Sequence, residues 1–429
     1  MPAETITFYE KTLIPDVISA PKGDGGCQSL PPCATRHRCT TFQLECTMPL
    51  RDRTNSLTNH LMIESLYVQN FRCLEAVTLD LKGRSSALLL GKNGAGKSTI
   101  RQALTVFQKV GRESNRAGSV ISRTDFSFYN DNRPMRFEVV ANFGGDRYEY
   151  AIGFDWPSHF REPRINDEIL KINGQDFFKR QQSQIMLLDG GSFNLDWHVF
   201  ALPVIADPRI EASAKKLKDY FASLMLISPQ PSAMSGYSEN ASNELAADAS
   251  DFAACLRGLL ESKPKAYTEF DKYVRTVFPD FSSFENEDRG PNGKQLMIEF
   301  KAADSPRTLK VAFESLSDGE KCFFLSGYLV ASTAVGNPVT CLWDEADNHL
   351  SIAEVGQFIA TLQKLGNRGG QFIATSHHPE TIRSFTDRTT YVLSRPSRLD
   401  PTRIRSLEEV GYHGDLINAL TRDEVIGQP

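Results

Sequence analysis

Short apolar runs recur along the chain from residue 62 onward, separated by turns rich in Gly, Asn and Asp. Residues 63–68 and 76–81 alternate apolar with polar positions, the period of a strand with one buried face. Ser86–Leu90 is short and apolar, as a buried strand is. Ile100, Leu104 and the residues 106–110 then fall at helical spacing among Gln, Arg and Lys. Residues 137–143 and 147–154 predict a hairpin across Gly144-Gly145, and 168–172 a strand turning at Asn173-Gly174. Residues 212–226 and 251–277 carry helical spacing, with a Ser, Asn, Ala and Pro-rich connection over 229–250. Two strands are expected at 296–300 and 308–313. A sharp turn at 316–321 precedes an apolar helix. Three more apolar strands follow at 339–343, 371–374 and 390–393. Strands alternating with helices imply a largely parallel sheet, so the fold class is α/β.

The stretch Gly91-Lys92-Asn93-Gly94-Ala95-Gly96-Lys97-Ser98-Thr99 changes the picture from fold to chemistry. It fills every fixed position of G-x-x-x-x-G-K-[ST], between an apolar strand and a helix, which is the context that gives the pattern meaning. Gly91, Gly94 and Gly96 let the backbone reach positive φ and come close to a ligand. Successive N–H groups can then cradle anionic oxygens, helped by the partial positive charge of the helix start. Asn93 and Ala95 complete the cradle, and Thr99 follows it into the helix. Lys97 is expected on the β- and γ-phosphates of ATP, and the Ser98 hydroxyl on Mg²⁺. Downstream, the apolar run 339–343 ends in Asp344-Glu345. Beside a phosphate loop, Asp344 suits the Mg²⁺ shell and Glu345 the polarisation of an attacking water.

Composition bounds the rest. The 429 residues suffice for two or three domains, and 40% hydrophobic with 24% charged residues is ordinary for a soluble globular chain. A net charge of −5 excludes a global basic footprint for nucleic acid, leaving only local clusters such as 161–164 and 215–218. Residues 1–61 are rich in Pro and Gly with little periodicity, and predict a poorly structured extension. Cys27, Cys33, Cys39 and Cys46 lie there without the close ligand pair of a zinc site. Cysteines scattered without a framework suit a reducing, cytoplasmic setting. The apolar window 323–343 is interrupted by Ser326, Gly327, Ser332, Asn337, Pro338 and Thr340, so it reads as a buried helix and strand and no membrane partner is expected.

Taken in order, the phosphate loop, Leu316-Ser317-Asp318-Gly319-Glu320-Lys321, Asp344-Glu345 and the strand ending Thr375-Ser376-His377-His378 resemble the motifs of the ABC-type ATPases. Asn70-Phe71-Arg72 and the wording of the signature turn are similar to the soluble RecF/SMC-like branch, close to the ATPases related to the OLD (overcoming lysogenization defect) family. No Asp-x-Asp pair follows His378, so the TOPRIM nuclease of OLD proteins is not expected. The resemblance implies an ABC-ATPase head with a mixed sheet and an inserted, mostly helical domain. Its boundaries are 62–154 and 306–429 for the two parts of the head and 155–305 for the insertion. It implies that Ser317, Asp318, Gly319 and Glu320 of one subunit meet the ATP of another, that residues 348–351 cross that interface, and that His377 is the switch histidine. The resemblance also implies Arg72 as a further nucleotide contact. A Gln loop is also implied; Gln181, Gln182 and Gln184 are available for it. The expected function is Mg²⁺-dependent ATP hydrolysis at a site shared across a homodimer, in DNA repair or antiphage defence. The alternative is a nucleotide-gated module that holds or releases a partner effector. Nucleic acid or that effector would be the further partner.

Overall fold

The apolar runs that bracket the two candidate motifs are far apart in sequence and meet in one sheet. A computed structural model describes residues 62–205, 208–302 and 306–410, within a single compact unit. The extension expected over 1–61, with its cysteines, lies outside the described residues. The first part of the chain forms β1 (Met62–Phe71), β2 (Leu74–Asp80), β3 (Ser86–Leu90), α1 (Lys97–Gly111), β4 (Met135–Phe143), β5 (Asp146–Asp155) and β6 (Arg164–Ile172). The middle forms β7 (Gln175–Gln181), β8 (Gln184–Leu187), β9 (Ser192–Asn194), α2 (Pro208–Ser223), β10 (Met225–Ile227), β11 (Tyr237–Ser238), α3 (Phe252–Ser262) and α4 (Lys265–Val277). Then come β12 (Phe281–Arg289), β13 (Gly293–Lys301), β14 (Thr308–Ala312), α5 (Asp318–Ala334), β15 (Thr340–Trp343) and α6 (Ile352–Gln363). The last elements are β16 (Gln371–Thr375), α7 (Pro379–Arg383), β17 (Thr390–Ser394), β18 (Arg403–Ser406) and α8 (Leu407–Val410).

The central sheet has the order β10-β15-β16-β3-β17-β18, parallel except for β18. Its parallel strands are buried on both faces, which is why they read as continuous apolar runs, whereas the edge strand β18 is largely exposed. Alternate side chains feed two different cores. Ala87 and Leu89 of β3 join Leu342 and Ile373 on one face; Leu88 and Leu90 join Cys341, Trp343, Phe372 and Ala374 on the other. The first core is closed by α1, α2 and an antiparallel sheet of order β2-β1-β4-β5-β6-β7-β8-β9. Phe107 of α1 packs there against Phe137 and Tyr150, with ring centroids 6.3 and 6.1 Å away, and against Phe221 of α2 at 5.3 Å. The second core holds α3, α4, α5 and α6 and a small sheet of β11, β12, β13 and β14.

The hairpins fall where the turn residues put them. Phe143 pairs with Asp146 across Gly144-Gly145, and Ile172 with Gln175 across Asn173-Gly174. All four turn residues have positive φ, as two-residue hairpin loops require. The region 155–305 departs from the mostly helical expectation: α2, α3 and α4 share it with strands of all three sheets. Two causes stand out. The 212–226 pattern runs together a helix ending at Ser223 and the strand Met225–Ile227, whose apolar triplet is too short to show a period of its own. The 251–277 pattern breaks at Pro264, which lacks the N–H a continuing helix needs. The 229–250 connection is irregular but bonded, with Ser228, Gln230 and Ser235 N–H groups donating to Ala247, Asp248 and Ser250 carbonyls.

Candidate functional site

The turn from β3 to α1 is built for close backbone approach. A Cβ at Gly91 would stand 2.5 Å from the Leu393 carbonyl oxygen, and one at Gly96 would stand 2.8 Å from Thr402 Oγ1. Gly96 also has φ 106. Gly96 caps α1 with no side-chain hydrogen bond, and the first turn holds no acid, so the positive end of the helix is open to an anion. Lys97 is buried, and its Nζ donates to Gly91 O at 2.6 Å and Lys92 O at 3.3 Å. Burial pushes its pKa down from 10.5, and the nearby Glu345 and Asp344 carboxylates push the other way. Asn93 is exposed on the loop, Ser98 is exposed at the start of α1, and Ala95 is buried beneath the loop. Thr402 supports the loop from the C-terminal segment: Oγ1 donates to Ala95 O at 2.9 Å, and its N–H donates to Cys73 O at 2.8 Å. Cys73 Sγ lies 3.5 Å from Thr99 Oγ1.

β15 delivers Asp344 and Glu345 to the same end of the sheet as the loop, because β15, β16 and β3 run parallel. Thr375, at the end of β16, ties the pair together. Its Oγ1 donates to Asp344 Oδ1 at 2.6 Å and accepts the Glu345 N–H at 2.8 Å. Asp344 is buried. Glu345 has φ 55, a left-handed conformation that costs a non-glycine residue about 1–2 kcal/mol. Asn348 Nδ2 holds its Oε2 at 2.6 Å. A cavity of about 40 Å³ opens beside it, lined by Ser228, Pro229, Cys322, Asp344, Glu345 and Asn348. That volume admits water.

Asp347 joins this turn to the histidine segment. It is buried and accepts from Ser376 Oγ and from Thr381 Oγ1 at 2.5 Å; Ser376 Oγ in turn accepts the His378 N–H at 2.8 Å. His378 caps α7, its Nδ1 accepting the Glu380 N–H at 3.2 Å. His377 is exposed. The two neighbours are thus divided between a structural and an outward-facing position.

Ser317 caps α5 in a reciprocal box: Oγ accepts the Glu320 N–H at 3.3 Å, and Glu320 Oε2 accepts the Ser317 N–H at 2.7 Å. The Ser317 hydroxyl keeps its own proton to donate. Ser317 and Asp318 are exposed. Asp318 Oδ2 lies 3.3 Å from His349 Nδ1, and a Cβ at Gly319 would stand 2.9 Å from the His349 carbonyl oxygen. The signature turn and the 348–351 turn therefore share one surface. Arg72, with φ 52, is engaged elsewhere: Nε donates to Asp125 Oδ1 at 2.9 Å, and Nη1 donates to Gln102 Oε1 at 2.6 Å. It braces the 122–126 turn against α1.

A family model described as AAA ATPase domain matches residues 62–288, just over half of the chain and including the phosphate loop. The chain belongs to the AAA ATPase domain family. It is an ATPase, and the match ends before α5, β15 and the histidine segment. No curated protein matches it. Among solved structures, the SmcHead bound to the C-winged helix domain of ScpA is 16% identical, with TM-score 0.46 over 81% of this chain and 99% of that one. The SMC head domain from Thermotoga maritima is 13% identical, with TM-score 0.42 over 80% and 98%. The Smc head domain with an extended coiled coil, bound to the C-terminal domain of ScpA derived from Pyrococcus furiosus, is 14% identical, with TM-score 0.45 over 85% and 100%. Similarity at this level assigns nothing further to the ATPase. No helix among its described residues is long and apolar enough to cross a membrane.

Three features of the ATPase were not visible in its motifs. Gln181, Gln182 and Gln184 sit in the β7–β8 hairpin of the antiparallel sheet. The glutamine that follows a strand beside β15 is Gln230, three residues past β10, whose Ile227 carbonyl accepts the Asp344 N–H at 2.8 Å. The apolar triplet 225–227 followed by Ser-Pro was the available signal. Thr375, at the end of β16, and Asp347, four residues past β15, stand out only once the sheet sets Thr375 against Asp344 and Glu345 and Asp347 against Ser376. The basic clusters are partly neutralised, Arg164 by Asp155 and Lys218 by Glu113.

Proposed function

We propose that the ATPase works as an ABC-type head whose site is completed by a second copy of the chain. The observation that carries this reading is the Thr375 bridge, which holds the Asp344 carboxylate and the N–H of Glu345, itself in a left-handed conformation beside a water-sized cavity at the mouth of the sheet that bears the phosphate loop. Strain of this kind persists where the surroundings over-determine it, and it collects at working sites. Gly91, Asn93, Gly94, Ala95, Gly96, Lys97, Ser98 and Thr99 receive the triphosphate. Glu345 orients and polarises the attacking water. His377 faces the γ-phosphate from the end of β16.

Ser98 and Asp344 are the proposed metal ligands. A hydroxyl and a buried carboxylate form a hard oxygen set, and Mg²⁺ is commonly held by one or two such groups plus substrate phosphates. When bound, Mg²⁺ neutralises charge developing on the phosphate oxygens. The exposed turn of Ser317, Asp318, Gly319 and Glu320 offers a hydroxyl proton and a helix start to the γ-phosphate of the partner copy. The resemblance to OLD-like ATPases extends the proposal to DNA repair or antiphage defence.

Mass measurement in solution tests the shared site. Glu345→Gln with ATP and Mg²⁺ should shift from monomer to dimer, and Ser317→Arg should bind ATP as a monomer without turnover. A Ser317→Arg protein that hydrolyses ATP normally removes the role assigned to the signature turn.

A further inference from the structure

Arg101 is absorbed by none of the roles above. It stands one helical turn after Lys97 on α1, so both cations leave the helix on the same face. Its side chain is 16% exposed, and its Nε lies 3.6 Å from Asp344 Oδ2. That is an ion-pair distance, too long for a hydrogen bond. Among the described residues, the buried Nε–H has no hydrogen-bond partner. On the other side of the carboxylate, Asp344 Oδ1 is already taken by Thr375. Oδ2 is therefore the oxygen left for a cation, and a guanidinium faces it without closing on it.

A structural arginine in this protein looks different. Arg180 is fully buried and donates to the carbonyls of Gln182, Val199 and Asp196 at 2.6, 2.6 and 2.8 Å. Among the described residues, Arg101 has no comparable set of acceptors holding it in place. Its buried N–H carries a desolvation cost that the Asp344 pair only partly offsets.

We propose that Arg101 is a built-in competitor for the divalent cation at Asp344. Resting on the assignment of Asp344 as a metal ligand, this makes metal binding conditional. A divalent cation alone must displace the guanidinium from Oδ2 and gains few ligands in exchange. A cation arriving with a nucleoside triphosphate brings phosphate oxygens and negative charge, and the competition tips. The ATPase thus loads metal and nucleotide together and does not hold metal by itself.

The test is Mn²⁺ binding to the full chain, read as loss of the free-ion EPR signal, without nucleotide and with a non-hydrolysable ATP analogue. Arg101→Gln should bind Mn²⁺ alone about tenfold more tightly than the parent, from removal of one charge near the carboxylate. With the analogue present, parent and variant should agree within about threefold, because the phosphates then dominate the site. Arg101→Lys should behave as the parent, and a lysine variant that behaves as Arg101→Gln overturns the charge argument. Arg101→Leu carries the same expectation as Arg101→Gln should the latter fail to fold, with melting temperature as the check. Unchanged Mn²⁺ affinity in the nucleotide-free variants overturns the proposal. Asp344→Asn separates the two assignments. If it leaves Mn²⁺ binding with the analogue intact, Asp344 is not a ligand and the reading beneath the proposal fails. If it abolishes binding while Arg101→Gln changes nothing, only the role of Arg101 fails.

Discussion

Two clusters of buried charge sit in two sheets of this protein and are built in opposite ways. In the antiparallel sheet, Glu168 and Arg180 are both fully buried. Glu168 accepts from Tyr150 Oη at 2.8 Å and from the Ala201 and Leu202 N–H groups at 2.8 and 2.9 Å. Arg180 spends its donors on three carbonyls. Burial still pushes the Glu168 pKa up and the Arg180 pKa down, so the cluster bears a desolvation cost that its hydrogen bonds offset. The result pins the 196–202 segment across the strands. At the mouth of the parallel sheet, Lys97, Asp344, Glu345 and Arg101 are close but incompletely paired. A satisfied buried cluster holds a shape. An under-satisfied one is ready to bind.

The contrast can be broken by substitutions, and the largest effect is expected on turnover. Glu345→Gln should lower the ATP hydrolysis rate by about 10²–10⁴-fold while ATP binding persists, the usual contribution of a positioned base. Steady-state phosphate release and nucleotide titration check both halves, and normal turnover would remove Glu345 from its role. Glu168→Ala should do the reverse. It strands Arg180 without its carboxylate and should cost about 3–5 kcal/mol of unfolding free energy in a denaturant titration. ATP affinity of the protein that remains folded should be unchanged.

Ser317→Ala removes the cap of α5 and should cost about 1 kcal/mol by the same titration. A loss of turnover beyond that expected from unfolding marks a role outside the cap.

Lys97→Met is the smallest in stability and the sharpest in sign. The Lys97 pKa is lower folded than unfolded, so the unfolded chain binds that proton more tightly. The penalty for burying the ammonium is present in full below the folded pKa and fades as pH rises from there towards 10.5. The variant should therefore melt at or above the parent's temperature at pH 7, lose that margin towards pH 10.5, and fail to bind ATP. A variant that melts well below the parent at pH 7 would place Lys97 among the structural charges, with Arg180.

Local chemistry explains what was legible early. The phosphate loop is a contiguous pattern in which Gly91, Gly94 and Gly96 each take positive φ, a local property of the turn, so nine residues carry the signal together. The hairpins at Gly144-Gly145 and Asn173-Gly174 are equally local, since positive φ is a property of the turn itself. Four of the five parallel strands, β3, β15, β16 and β17, were readable because burial on both faces leaves no polar alternation; β10 was too short to show it. Arg72 was legible as a motif residue but not in its contacts, because Asp125 and Gln102 reach it only through the fold.

The sequence by itself determined the α/β class, the phosphate loop and the order of the motifs, because propensity, spacing and turn chemistry act over a few residues. Tertiary structure alone decided which strands are neighbours. It placed Met225–Ile227 beside β15, and so Gln230 after a strand that borders the site. It set Thr375 between Asp344 and Glu345 across 31 and 30 residues of chain. It brought Arg101 to a carboxylate far along the chain and left its Nε–H without an acceptor among the described residues. These facts depend on strand order and register, which are fixed by the packing of two cores, and no window of sequence contains them.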